Sequence, residues 1–388
     1  MIEIAIVGKP NAGKSTFLKA ATLADVKIAS YPFTTINPNF AIAYVTTKCV
    51  CKELGLNCNN CMNSIRFIPI KLIDVPGLVP GAHKGRGLGN KFLDDLRQAQ
   101  AFIHVVDFSG LTDNEGNPTR NHNPLEDIKF LESEIDEWLL SIILRALERY
   151  FKTRKKSEFE KIGELSSLIA KQLTGLGINE TIIKSCLLEL KEELKEENLR
   201  DFATSLRKRA KPMLIAANKI DIEEAKEDYF KLKDKIEYPT IPCSADYELA
   251  LRIACKNEII DYLPGESDFK IKGNLSEKQI AALEKIRKML MEFGSTGVQV
   301  CLNKIVFDLL NYIVVYPVEN ENKFSDKKGN ILPDAFLLPK EAKPIDLAFA
   351  IHSNLGENFI CAIDAKTKQR VASDYNLKNN DIIKIVTR

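Results

Sequence analysis

The chain has 388 residues; 45% are hydrophobic, 55 are Lys or Arg, and 53 are Asp or Glu. That length predicts two or three domains with a sizeable core. The net charge of +2 gives no bulk signal for nucleic acid or membrane, and strand-sized apolar runs argue against a membrane span.

Residues 1–7 (MIEIAIV) read as a buried strand. The run that follows, Gly8-Lys9-Pro10-Asn11-Ala12-Gly13-Lys14-Ser15-Thr16, is a phosphate-binding P-loop leading into a helix. Its glycines permit the backbone turns that aim N–H groups inward, and the helix N-terminus favours an anion. Lys14 is placed to reach the β- and γ-phosphates and Ser15 to ligate magnesium. With the strand starting so close to Met1, no leader peptide is expected, and nine cysteines fit a cytoplasmic protein with free thiols.

Residues 30–39 form a switch-like loop containing Thr34 and Thr35. Two strands are expected at 40–47 and 65–73, the second ending at Asp74-Val75-Pro76-Gly77. That motif can hold a magnesium-bound water and sense a γ-phosphate. Between the strands lie Cys49, Cys51, Cys58 and Cys61. Four thiols suit tetrahedral zinc; a redox-sensitive loop and unrelated thiols are the other readings. After a glycine-rich stretch, a helix is expected at 90–100 and a buried strand at 102–107.

Amphipathic helices are expected at 125–151, 159–173, 180–197 and 199–209, as an insert spanning 125–210. Its basic clusters, Arg154-Lys155-Lys156 and Arg207-Lys208-Arg209, read as solvated helix ends or as RNA contacts, the former being favoured. The sheet resumes with a strand at 213–217 carrying Asn218-Lys219-Ile220-Asp221, which can read guanine. A strand at 240–243 leads to Ser244-Ala245, which can back that reading. Strands at 313–318, 335–338, 359–363 and 382–386 with a helix at 345–354 suggest a ubiquitin-like domain. The expected organisation is a nucleotide-binding domain at 1–124 and 211–307, the helical insert, and a C-terminal domain at 308–388.

These motifs, the string Tyr31-Pro-Phe-Thr-Thr-Ile-Asn-Pro-Asn39 and Gly85-Arg-Gly-Leu-Gly-Asn-Lys-Phe-Leu93, resemble the Obg-like GTPases of the YchF type. The tail resembles a TGS domain through Asp326-Lys-Lys-Gly-Asn-Ile-Leu-Pro-Asp334 and Asp346-Leu-Ala-Phe-Ala-Ile-His352. The resemblance implies an α/β P-loop GTPase fold, with a mostly parallel three-layer sheet, an inserted helical domain and a β-grasp TGS domain. It also implies Thr35 as the switch threonine on magnesium and the γ-phosphate, with Thr34 its rival. Asn11 would sit beside a potassium ion; an Asn chosen for turn geometry is the less favoured reading. Ribosomal or RNA partners follow from the resemblance; a monomer is expected.

This sequence departs from the resemblance at two places, one of them the cluster of Cys49, Cys51, Cys58 and Cys61. The other is the base-reading motif: relatives that prefer ATP have a degraded sequence there, whereas Asn218-Lys219-x-Asp221 is intact, so GTP is expected. Leu78 stands where many regulatory GTPases carry a water-orienting glutamine. His83 and His122 are the candidates for placing water, each with a solvated-loop reading beside it. The expected activity is slow GTP hydrolysis by a molecular switch; an ATPase of general or stress function and a GTP-binding module with negligible turnover are the rivals.

Overall fold

The computed structural model describes residues 1–22, 40–78, 96–153, 162–190 and 194–388. The calls at Thr34, Thr35 and His83, and the Arg154-Lys155-Lys156 cluster, lie outside these residues.

A seven-stranded sheet organises the first two thirds of the chain. In chain order its strands are β1 (Glu3–Val7), β2 (Phe40–Lys48), β3 (Cys61–Met62), β4 (Ile65–Asp74), β5 (Ala101–Asp107), β6 (Met213–Asn218) and β7 (Thr240–Pro242). Their spatial order is β2-β4-β1-β5-β6-β7, with β3 appended to β4. β1, β4, β5, β6 and β7 run parallel, while β2 and β3 are antiparallel to β4. All residues of β5 and β6 are buried, which is why both read as unbroken apolar runs. Side chains alternate between two cores: Ala5, Val7, Phe102, Val106, Ile215 and Ala217 face one, and Ile4, Ile6, Ile103, Val105, Leu214 and Ala216 the other.

The first core is shared with the insert. Trp138, Leu139 and Ile143 of α2 (Pro124–Thr153), Ile169 of α3 (Ile162–Leu173), Ile183 of α4 (Glu180–Glu189) and Phe202 and Leu206 of α5 (Leu199–Ala210) are buried there. Helix α4 is shorter than the sequence suggests. Leu190 turns extended, at φ −64° and ψ 116°, and the break allows Leu194 and Leu199 to be buried.

The second core receives Phe17 of α1 (Lys14–Thr22) and residues of the C-terminal domain, including Val314, Tyr316 and Ile382. That domain has strand order β9-β8-β12-β10-β11: β8 is Tyr312–Pro317, β9 Phe336–Pro339, β10 Phe359–Asp364, β11 Gln369–Val371 and β12 Asp381–Thr387. A helix at Pro344–Ile351 packs Leu347 against its own small core, in the β-grasp manner. The expected single helix breaks at His352, whose Nδ1 accepts from the Asn354 N–H at 3.1 Å to start a second short helix. Among the described residues no helix is long and apolar enough to cross a membrane.

Candidate nucleotide site

Parallel register brings the motifs to one edge of the sheet. Ile6 pairs with Asp74, Val7 with His104, and Asp107 with Asn218. The P-loop, Asp74 and the Asn218–Asp221 segment therefore all leave the sheet at the carboxyl ends of its strands, where open α/β sheets bind ligands.

The P-loop is closely braced. Gly13 has φ +99°, and a Cβ there would stand 2.2 Å from Asn218 Nδ2. Asn218 Nδ2 donates to Ala12 O at 2.9 Å, and its Oδ1 accepts from the Ala245 N–H at 3.1 Å. One amide thus ties the P-loop to the segment after β7, and it occupies the Ala245 N–H.

Lys14 is 8% exposed, and its Nζ donates to Lys9 O at 2.7 Å. Burial lowers its pKa from 10.5 to about 8, opposed by the charge of Asp74. Holding that ammonium protonated at neutral pH costs about 3 kcal/mol, which an anion in the loop would offset. Partial burial conversely pushes the Asp74 carboxyl up, opposed by Lys14. Ser15 is exposed and Thr16 half-buried on the first turn of α1.

Gly8, Lys9 and Pro10 complete the loop, but the Lys9 side chain turns away from it. Its ammonium is buried, donates to Thr112 O at 2.6 Å and pairs with Asp127 Oδ2 at 2.8 Å. His122 Nε2 lies 2.8 Å from Asp127 Oδ1. His122 is therefore committed to a clamp between the P-loop and the first turn of α2, rather than lying free in a solvated loop. This Lys9–Asp127–His122 arrangement had no signal in local sequence.

Asn11 has φ +60°, so the turn role is real. Its Nδ2 donates to Gly116 O at 2.9 Å, leaving its amide oxygen outside that bond. A Cβ on Gly116 would meet Pro10 O at 2.9 Å, so the turn at 113–117 rests directly on the loop. Gly77 likewise abuts Pro10, and a Cβ on it would lie 3.0 Å from Pro10 N. The Leu78 side chain is buried in the first core and its N–H donates to Gly8 O at 3.2 Å. Its side chain offers no donor or acceptor with which to orient a water.

The base-reading segment is also fixed. Lys219 has φ +67°, and its Nζ donates to Asp107 Oδ2 at 2.8 Å. Burial opposes ionisation of Asp107, but hydrogen bonds from Lys219, Ser109 and Thr112 outweigh it and lower its pKa. Ser244 Oγ donates to Asp221 Oδ1 at 2.6 Å and accepts from the Tyr247 N–H at 3.2 Å as the cap of helix Ala245–Lys256. Each carboxylate oxygen has two lone pairs, so Asp221 keeps acceptor capacity while its rotamer is held.

Of the basic run at the end of α5, Arg207 faces the protein, while Lys208 and Arg209 are exposed and pair with surface carboxylates. Arg207 is 2% exposed and donates to Asp136 at 2.5 Å, Tyr238 Oη at 3.0 Å and Glu132 at 3.2 Å. Lys208 pairs with Glu237, and Arg209 with Glu189. Arg207, Lys208, Glu132, Asp136 and Tyr238 line a cleft of about 610 Å³. Arg207 is thus neither a solvated helix end nor an exposed RNA contact.

Comparisons with known proteins agree with this geometry. Residues 3–146 match the family model described as "50S ribosome-binding GTPase". Residues 216–320 match "Obg-like GTPase YGR210-like, G4 motif-containing domain", and residues 327–387 match the TGS domain. A GTP-binding protein of Methanocaldococcus jannaschii is 52% identical, with the match covering 100% of this chain and 99% of the relative. The crystal structure of a GTP-binding protein from Pyrococcus horikoshii superposes with a TM-score of 0.77 at 40% identity, covering 100% of both chains. The Schizosaccharomyces pombe YchF GTPase shares the fold, with a TM-score of 0.58 at 19% identity over 99% of this chain and 97% of that one. The chain belongs to the YchF-type, Obg-like GTPases with a C-terminal TGS domain.

Proposed function

We propose that this protein binds GTP with magnesium and hydrolyses it slowly to GDP and phosphate, acting as a switch on a ribosomal or RNA-containing partner. The observation that carries the reading is the convergence of a desolvated Lys14, Asp74 and a rotamer-locked Asp221 at one sheet edge. Asp221 can accept two parallel hydrogen bonds from guanine N1–H and its 2-amino group. Adenine offers neither donor there, and the carboxylate would be left poorly satisfied.

In hydrolysis, the oxygen of a water forms a bond to the γ-phosphorus. The bond to the β–γ bridging oxygen breaks, GDP leaves, and the water's proton passes to phosphate. The P-loop amides and Lys14 hold the phosphates, and the Lys14 charge offsets the negative charge on them. Ser15 and Asp74, with Thr35, are the hard-oxygen groups suited to magnesium. Magnesium, when bound, neutralises phosphate charge. Gly77 is the backbone group that follows Asp74 toward the γ-phosphate. Asn11 supports a potassium site through its amide oxygen, a charge source suited to a loop in which Leu78 cannot orient water. Zinc at the cysteines would be structural, since Arg66 beside them lies eight residue steps along β4 from Asp74, roughly 26 Å.

Partnership with the ribosome draws support from the family description and the TGS domain, and it assigns a role to domains at 125–210 and 308–388. Turnover of GTP by full-length protein with magnesium tests the reading. Ser15→Ala should lower the rate at least about tenfold with an unchanged circular dichroism spectrum. Wild type that binds GTP without releasing phosphate, in potassium and with ribosomes present, would leave the binding-module rival.

A further inference from the structure

The hairpin joining β2 to β4 gathers four thiols that the nucleotide chemistry does not use. Cys49 and Cys58 Sγ are 3.7 Å apart, Cys51 and Cys61 Sγ 3.7 Å, and Cys58 and Cys61 Sγ 3.6 Å. All four sulfurs lie within 4.8 Å of one another. A disulfide requires about 2.05 Å, so these are separate thiols. Four sulfurs placed ~2.3 Å from a tetrahedral centre would stand about 3.8 Å from each other, close to the observed spacing.

The backbone is folded to present them. The Cys49 N–H donates to Ser64 O at 2.8 Å, and the Leu56 N–H to Cys51 O at 2.8 Å. Asn59, Asn63 and Ser64 take left-handed φ of 53°, 48° and 68°, strain that serves a tight knuckle rather than a strand. Cys49, Cys51 and Cys58 are buried and Cys61 half-buried.

The knuckle also touches the C-terminal domain. Arg66 is 2% exposed; its Nη1 donates to Leu332 O at 3.1 Å and its Nη2 to Pro333 O at 2.8 Å, while Nη1 stands 4.0 Å from Cys58 Sγ. Asn60 Nδ2 reaches Leu332 O at 3.4 Å. Tyr316 and Leu332 share one apolar cluster with Cys49, Val50, Cys51 and Cys58. A buried guanidinium whose hydrogen bonds go to carbonyls gains from an anionic centre beside it.

We propose that Cys49, Cys51, Cys58 and Cys61 bind one zinc ion as four thiolates, and that the ion fixes the β2–β4 hairpin against the C-terminal domain. Binding converts four S–H groups into four Zn–S bonds and releases four protons to solvent. The tetrathiolate centre carries a charge of −2, which the Arg66 guanidinium partly offsets. Four protein ligands close the coordination shell, as in structural rather than catalytic sites.

The test uses full-length protein purified without chelator or added metal. Elemental analysis should find about one zinc per chain, and cobalt(II) exchanged for it should show thiolate charge-transfer and tetrahedral ligand-field absorption. Titration of wild type with a mercurial thiol reagent should release the zinc as four thiols are blocked, a readout that needs no folded variant. In a Cys58→Ser, Cys61→Ser double variant, zinc should fall below about a tenth of the wild-type content. After zinc removal, amides at 49–64 and 331–335 should exchange hydrogen about tenfold faster, with those of the P-loop unchanged. Metal-free protein with four reactive thiols, a disulfide among them, or stoichiometric iron would overturn the zinc assignment. Zinc loss with unchanged exchange at 331–335 would overturn the coupling to the C-terminal domain. Nucleotide binding enters none of these measurements, so their failure is separable from failure of the GTPase reading.

Discussion

Lys14 should make nucleotide affinity depend on pH in a defined window. Its pKa in the folded protein is about 8, lowered by burial. Phosphates favour the ammonium, so the pKa in the complex must lie higher. The sign follows: affinity is complete below pH 8 and falls as pH rises through 8 toward the pKa of the complex. At about pH 9, only about one free molecule in eleven retains the proton, so Kd should rise about tenfold, or ~1.4 kcal/mol. Calorimetric titration with a non-hydrolysable GTP analogue between about pH 7 and pH 9 measures this. Lys14→Met should bind more weakly, and it lacks the lysine's contribution to the pH dependence. Titration of the nucleotide itself is common to both proteins, so their difference isolates the lysine. Parallel curves for wild type and Lys14→Met would refute the reasoning, and with it the claim that the phosphates meet this ammonium.

Two other perturbations probe separate parts of the fold. Potassium should raise GTP turnover over sodium at equal ionic strength, and Asn11→Ala should remove the stimulation with little change in GDP affinity; equal wild-type rates in the two salts would reduce Asn11 to its turn and its bond to Gly116. Arg207→Met leaves Asp136 and Glu132 without their buried partner and should destabilise the protein by about 3 kcal/mol, read as a lower thermal midpoint; an unchanged midpoint would contradict the role assigned to that network.

The parts of the site legible in the sequence are those where phosphate and base chemistry restrict residue choice within a short window. The P-loop glycines and Asn218–Asp221 are of this kind, and β1, β5 and β6 read as buried strands because they are continuous apolar runs; the register that aligns them comes from the structure alone. What was not legible depends on residues far apart in the chain. Lys9 looked like a loop residue, but Asp127 and Thr112 draw its ammonium away. Arg207 looked like a surface charge, but its acceptors come from α2 and from Tyr238. The cysteines left three readings open because sequence spacing carries no sulfur–sulfur distance. The C-terminal domain read as separate, while Tyr316 and Ile382 enter the core of the first sheet.

The proposed specificity rests on recognition of guanine by Asp221, held by Ser244. It is tested most directly by titrating wild type and Asp221→Asn with GTP, ATP and xanthosine triphosphate under identical conditions. Wild type should bind GTP at least about a hundredfold more tightly than ATP. Asp221→Asn should lose GTP affinity and gain affinity for xanthosine triphosphate, because the amide donates where the carboxylate accepted. Equal wild-type affinity for ATP and GTP, or an Asp221→Asn variant with unchanged preference, would contradict the account.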